Sequence, residues 1–249
     1  MRVAFVGKGG SGKSSIAGTA ARLLARAGAP VLALDVDTLP GLSFSLGLGL
    51  VSDTGLPADL AERREKVGWV MREPVTSAEE LVEQHALRGP DGIRFLQLGK
   101  LPGNVRPASS VAFRHVLDEF RKPGWSMVGD LAAGTRQSSG GWVAFAEIVA
   151  VVVEPTRAGM LAAQRLRTFA PEAARIGLVV NKAARGQALT GVQIALELGL
   201  PLWAEVPYDD EVASADRRGL APVDEAPSSP AVAAVADLVE RLQKEGRSR

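Results

Sequence analysis

Cysteine is absent from the 249 residues, and histidine occurs only at His85 and His115. Without thiols, disulfides, thiolate-held iron–sulfur clusters and cysteine nucleophiles are excluded, and nothing hints at an oxidising compartment. Two histidines are too few for a histidine-rich metal site. No apolar stretch approaches the roughly 20 residues that a helix needs to span a bilayer. A dominant charge is also lacking. Twenty-nine Lys and Arg stand against 28 Asp and Glu, a net +1, so no overall field points to nucleic acid or membrane, although a local basic patch fits that balance. The chain opens directly on the strand-like run Val3–Val6. That leaves no room for the basic region and apolar core of a secretory leader, and the expected location is the cytoplasm.

What is present suits a packed core: 46% of residues are hydrophobic and 23% charged. The length fits a single α/β domain over residues 1–249. Short apolar runs recur at Val3–Val6, Val31–Leu34, Ile93–Leu98, Trp125–Val128, Ile148–Val153, Ile176–Val180 and Leu202–Val206. Several are continuous and rich in β-branched residues, as strands covered on both faces are. Helical patterns lie between them at Ser14–Ala27, Ala158–Phe169, Ala188–Leu198 and Ala231–Gln243. The first is closed by Gly28 and Pro30, a stop signal. In the last, Val232, Val235, Val239 and Leu242 share one face, which predicts a helix packed on the sheet rather than a membrane or partner helix. The alternation predicts a doubly wound, mostly parallel sheet with helices on both faces. Ser52–Arg72 is charged, lacks a clean period and reads as an irregular surface excursion. Pro222–Pro230 reads as a loop, and Lys244–Arg249 as a fraying tail.

The run Gly7–Lys8–Gly9–Gly10–Ser11–Gly12–Lys13–Ser14 fits G-x-x-x-x-G-K-[ST], with a strand-like run before it and a helical one after. Glycines let the backbone wrap phosphate oxygens with its N–H groups turned inward, and the following helix aims its positive end at the same charge. Lys13 is placed to reach the β- and γ-phosphates, the Ser14 hydroxyl to ligate Mg²⁺, and Ser15 to extend the nucleotide contact. Asp35 and Asp37 lie two apart at the end of a strand, so both carboxylates share one side where open α/β sheets place ligands. Asp130 follows the strand Trp125–Val128 and suits a carboxylate that holds the Mg²⁺ hydration shell. The small residues Ala132–Thr135 and the Ser/Gly-rich stretch Arg136–Gly141 suit a mobile segment that answers the γ-phosphate.

The loop, with its extra Lys8, resembles the deviant phosphate loop of the MinD/ParA-type ATPases. That resemblance implies an Mg·ATP-binding ATPase whose two subunits sandwich two nucleotides, with Lys8 supplying charge across the interface. It implies that Asp35 lies near the Mg²⁺ water shell and that Asp37 positions the attacking water. By the same analogy Thr38–Leu48 is a first switch, Asn181 meets the adenine edge, and Pro207–Tyr208 packs beside the base.

Along nearly the whole chain the order is similar to the CooC-type branch, accessory ATPases of nickel insertion into carbon monoxide dehydrogenase. The supporting stretches include Gly7–Ser15, Leu34–Leu48, Glu154–Pro155, Val180–Asn181–Lys182 and Val206–Asp209. That branch carries a C-x-C metal motif, and the matching stretch here, Gly99–Pro107, contains no thiolate. Metal capture by paired cysteines is therefore ruled out. The leading expectation is an ATP-driven dimerising switch acting on an unknown client protein. One alternative is a ParA-like ATPase that binds DNA or a surface through Arg157, Arg165, Arg167 and Arg175. Another is a nucleotide sensor without turnover.

Overall fold

The protein is described from a computed structural model, which covers residues 1–37, 41–51, 55–99, 106–131, 141–168, 170–172, 174–184 and 186–247. The sheet is built first from β1 (Arg2–Gly7), β2 (Val31–Asp35), β6 (Arg94–Gln97) and β7 (Ser126–Asp130). Joining them are β8 (Ile148–Val153), β9 (Arg175–Ala183), β10 (Leu202–Pro207) and the two-residue β5 (Leu87–Arg88). The strand order is β10-β9-β8-β1-β7-β2-β6-β5. All pairings are parallel except the antiparallel edge pair β5–β6. The expected doubly wound, mostly parallel sheet is therefore present.

Both faces of the sheet are covered, which is why its strands read as continuous apolar runs. Val3 and Phe5 face one core with Ile16, Leu24 and Leu238, while Ala4 and Val6 face the other with Phe113, Leu117 and Ile194. The first core is roofed by α1 (Lys13–Arg26) and α9 (Pro230–Arg247). In α9 the predicted stripe Val232, Val235, Val239 and Leu242 is buried against the protein. The second core is roofed by α3 (Ala78–His85), α4 (Arg106–Glu119), α5 (Arg157–Arg167) and α6 (Gly191–Leu198). Three short or late helices complete the α-helices among the described residues: α2 (Leu42–Ser45), α7 (Asp210–Arg218) and α8 (Pro222–Glu225). No helix among the described residues is long and apolar enough to cross a membrane.

Several sequence expectations need correction. The stretch read as an irregular excursion holds, outside the undescribed 52–54, a 3₁₀ turn at Ala58–Leu60 and an antiparallel hairpin. Its strands are β3 (Ala61–Arg64) and β4 (Gly68–Met71). Ala61 is buried and Met71 packs on the main core, while Arg64 pairs with Glu62 at 2.7 Å on the outer side. Three polar residues in a four-residue strand hide any alternation. Part of Pro222–Pro230 is helical, started by Pro222, whose fixed φ suits a first turn. β7 runs on to Asp130 and β9 to Ala183, so Asp130, Asn181 and Lys182 sit within strand ends.

Candidate functional site

β1 delivers the chain to the carboxyl edge of the sheet, where it turns back into α1. Gly10 and Gly12 hold φ of 85° and 81°, a left-handed conformation that suits glycine. Gly12 is the N-cap of α1 and no side chain caps the helix, so the first amides of α1 stay available for an anion. A Cβ on Gly7 would lie 2.6 Å from the Val152 carbonyl, which explains the glycine where β1 leaves the sheet beside β8. Within the turn the Ser11 amide donates to the Lys8 carbonyl at 3.1 Å. The Ser11 hydroxyl is buried and has no hydrogen-bond partner among the described residues. A cradle of this shape, with an unanswered buried hydroxyl, suits a phosphate group. Lys8, Gly9 and Gly10 form its exposed rim.

Beneath the loop lies a buried ionic centre. Lys13 is paired with Asp130, and the Ser14 hydroxyl lies near enough to the same carboxylate to favour its charged form. Strand register sets Asp130 opposite Asp35. Burial pushes the Asp130 carboxyl upward, opposed by Lys13 and Ser14. Burial and the charge of Asp130 push Asp35 up to about 7, against the pull of the Asp37 and Leu42 amides. Asp35 is fully buried and works as a backbone anchor. Its Oδ1 accepts from the Asp37 amide at 2.9 Å, and its Oδ2 from the Gly41 and Leu42 amides at 3.1 and 3.0 Å. Asp37 is half-buried, and its charge is felt by Asp130.

Among the described residues no three acidic or histidine side chains converge as a metal cage. The hydroxyl of Ser14 and the carboxylate of Asp130 are hard oxygen donors of the kind Mg²⁺ takes when phosphate oxygens and water complete its shell. The site residues therefore fit that ion only together with a nucleotide.

Beside the loop opens a cleft of about 270 Å³. Gly12, Ser15 and Thr19 form one wall, and Asn181, Pro207 and Tyr208 another. Asn181 also serves the loop: its Nδ2 donates to the Ser11 carbonyl at 2.8 Å. Lys182, at φ 58°, donates to the Gly10 carbonyl and to Glu154, both at 2.6 Å. The end of β9 thus braces the phosphate loop as well as facing the cleft. The remaining wall comes from Val212, Asp216 and Arg217 of α7, Pro222 of α8, and Val232 and Val235 of α9. Sequence reasoning missed the part of this wall made by α7 and α8, although the Asp209 cap ahead of α7 and the left-handed Gly219 beyond it mark a helix there.

Of the four arginines named as a basic face, Arg157, Arg165 and Arg167 lie exposed on α5. Arg157 pairs with Glu197 at 2.9 Å, Arg167 donates to the Leu198 carbonyl at 2.6 Å, and Arg175 contacts Glu245. The expected mobile segment after Asp130 lies almost wholly in 132–140, outside the described residues, as do 38–40 of the first switch and 100–105 of the stretch matching the C-x-C motif.

The fold and this loop geometry define a P-loop nucleotide-binding protein. Residues 3–223 match the family described as the CobQ/CobB/MinD/ParA nucleotide binding domain, and the chain belongs to it, as a P-loop ATPase of the MinD/ParA type. It is 27% identical over 239 residues to an uncharacterised ATP-binding protein of Methanocaldococcus jannaschii, covering 88% of this chain and 90% of that one. To the carbon monoxide dehydrogenase accessory protein CooC of Rhodospirillum rubrum it is 26% identical over 265 residues, with 97% of each chain covered. In fold it is similar to the septum site-determining protein MinD of Pyrococcus horikoshii, solved with Mg-ADP. There the TM-score is 0.77 at 19% identity, over 99% of this chain and 97% of that one. A ParA family ATPase from Chlorobium tepidum gives a TM-score of 0.72 at 19% identity, over 97% and 98% of the two chains.

Proposed function

We propose that this chain, as one domain, binds and hydrolyses Mg·ATP, and that two copies close over the nucleotide to act on a client protein. The observation that carries the reading is the convergence of the left-handed Gly10 and Gly12, the buried Lys13, and the Ser14–Asp130 pair at one strand-end face. Amides of Gly9 to Ser14 would cradle the phosphates, and Lys13 would exchange Asp130 for phosphate oxygens. Ser14 and Asp130 would hold Mg²⁺ and its water, with Asp35 fixing the neighbouring backbone. Held there, the ion would supply neutralisation of the phosphate charge. Asp37 follows that anchor and would orient the attacking water. Lys8, exposed on the rim, would supply charge to the nucleotide of the second copy. Asn181, Pro207 and Tyr208 would border the adenine in the adjoining cleft. A cytoplasmic setting suits an ATP-dependent switch.

Phosphate release and gel filtration test the reading together. Wild type should release phosphate slowly and double its mass with Mg·ATP. Asp37→Ala should lower release by about 10²-fold or more, an effect of the size that positioned proton acceptors supply, while keeping the ATP-driven dimer. Lys13→Ala should lose both. An unchanged mass with Mg·ATP sinks the dimer, and calorimetry without adenine nucleotide binding sinks the whole proposal.

A further inference from the structure

One charged group lies buried away from the phosphate loop and its carboxylates. Arg22, on α1, is only 2% exposed. Its guanidinium takes Asp224 in a two-pronged bond at 2.9 and 3.0 Å, Asp91 at 2.6 Å, and the Leu46 carbonyl at 2.9 Å. Arg26, one turn on, joins the same two carboxylates. These partners come from three separate places. Asp224 sits in α8, two residues beyond Pro222 in the cleft wall. Asp91 sits in the turn before β6 with φ 56°, an uncommon conformation for a residue with a Cβ. Leu46 ends α2, the helix that follows Asp37.

α2 is pinned at both ends. Its first amides donate to Asp35, and its last carbonyl accepts from Arg22. In between, α1 and α2 lie so close that a Cβ on Gly18 would be 2.4 Å from the Ser45 Cβ. Gly47, at φ 80°, gives the guanidinium room, since a Cβ there would lie 2.9 Å from Nη1. A planar fork that satisfies two carboxylates and a carbonyl at once is a task for arginine, which lysine cannot reproduce.

We infer that Arg22 is a positioning residue that ties the nucleotide-cleft wall at Pro222–Asp224 to α2, and through α2 fixes the Asp35–Asp37 segment. The inference rests on the proposed hydrolytic role of Asp37 for its kinetic part, and on the described contacts for its structural part. A nucleotide that seats against Pro222 steadies Asp224, which steadies the fork, which holds the end of α2. Coupling of this kind is established only by perturbing one end and reading the other.

The experiment uses the full chain with Asp224→Asn, a partly exposed position whose change spares the core, and with Arg22→Lys as a second variant. Hydrogen exchange is followed at residues 42–48 and, as reference, in β1 and β8, with and without Mg·ATP. In wild type, Mg·ATP should slow exchange at 42–48. In both variants, exchange there should rise several-fold without nucleotide, β1 and β8 should not change, and Mg·ATP should no longer restore protection. The kcat for phosphate release should fall about tenfold with KM within about twofold, since small misplacement of a reacting group lowers turnover more than binding. Unchanged exchange at 42–48 in both variants overturns the inference. So does faster exchange throughout β1 and β8, which would make the network a general brace. If wild type neither binds nor hydrolyses ATP, the functional reading fails and the kinetic part with it. The nucleotide-free exchange comparison still decides whether Arg22 holds α2.

Discussion

The phosphate side and the proposed base side of the site are made in different ways. The phosphate cradle comes from one continuous stretch of eight residues, Gly7–Ser14, mostly through its backbone, set over the buried carboxylates Asp35 and Asp130. The base side gathers α1, the ends of β9 and β10, α7, α8 and α9, from residues as far apart as Gly12 and Val235. A backbone-made pocket depends on dihedral angles at fixed positions, so a single added methyl group can spoil it. A pocket gathered from many side chains shares its contacts, so most single changes there should matter less.

The comparison can be broken most directly at Gly12. Alanine there meets a φ of 81° and brings a Cβ within 2.2 Å of the Asn181 side chain. Left-handed strain of about 1–3 kcal/mol should weaken ATP binding at least about tenfold by calorimetry, in a protein that still melts cooperatively. Wild-type affinity in Gly12→Ala would mean that the loop is not the rigid partner.

A smaller effect is expected from the buried carboxylates that only the phosphate side possesses. Asp35 is raised to about 7, whereas an unfolded Asp titrates near about 3.9. The folded protein therefore binds the extra proton, and the associated stability is full below the unfolded value and is lost as pH rises through about 7. Without nucleotide, the wild-type melting temperature should fall by a few degrees more than that of Asp35→Asn between about pH 5 and about pH 8. Parallel curves would show that the amides around Asp35 already hold it charged.

The smallest effect belongs to the base side. Tyr208 is 51% exposed and its hydroxyl reaches Asp210 at 3.2 Å. Tyr208→Ala should change ATP affinity by about twofold or less, the usual size for a surface position. A loss comparable to that at Gly12 would show one anchor dominating the cleft.

The same contrast explains what could be read from the sequence. The phosphate loop, Asp35 and the parallel strands were legible because local geometry demands particular residue types at fixed spacing. Val31–Leu34 could hardly be anything but a covered strand, and Gly12 has few substitutes at its angle. Arg22 looked like an ordinary helix residue because its partners lie 69 and 202 residues away. The hairpin escaped because Glu62, Arg63 and Arg64 mask its period, although the Ser77–Glu80 capping box would have announced α3. Asn181 was placed at the site, but its bond to the Ser11 carbonyl depends on two chain segments meeting in space.

The borders of the sheet carry a consequence for self-association. At one border β5 offers only Leu87 and Arg88, and at the other β10 breaks register twice and ends in Pro207, which has no amide to donate. Such frayed margins make poor templates for adding another chain as a ninth ribbon. Two copies that pair would therefore have to meet by other surfaces, and the rim carrying Lys8 stands open for that meeting.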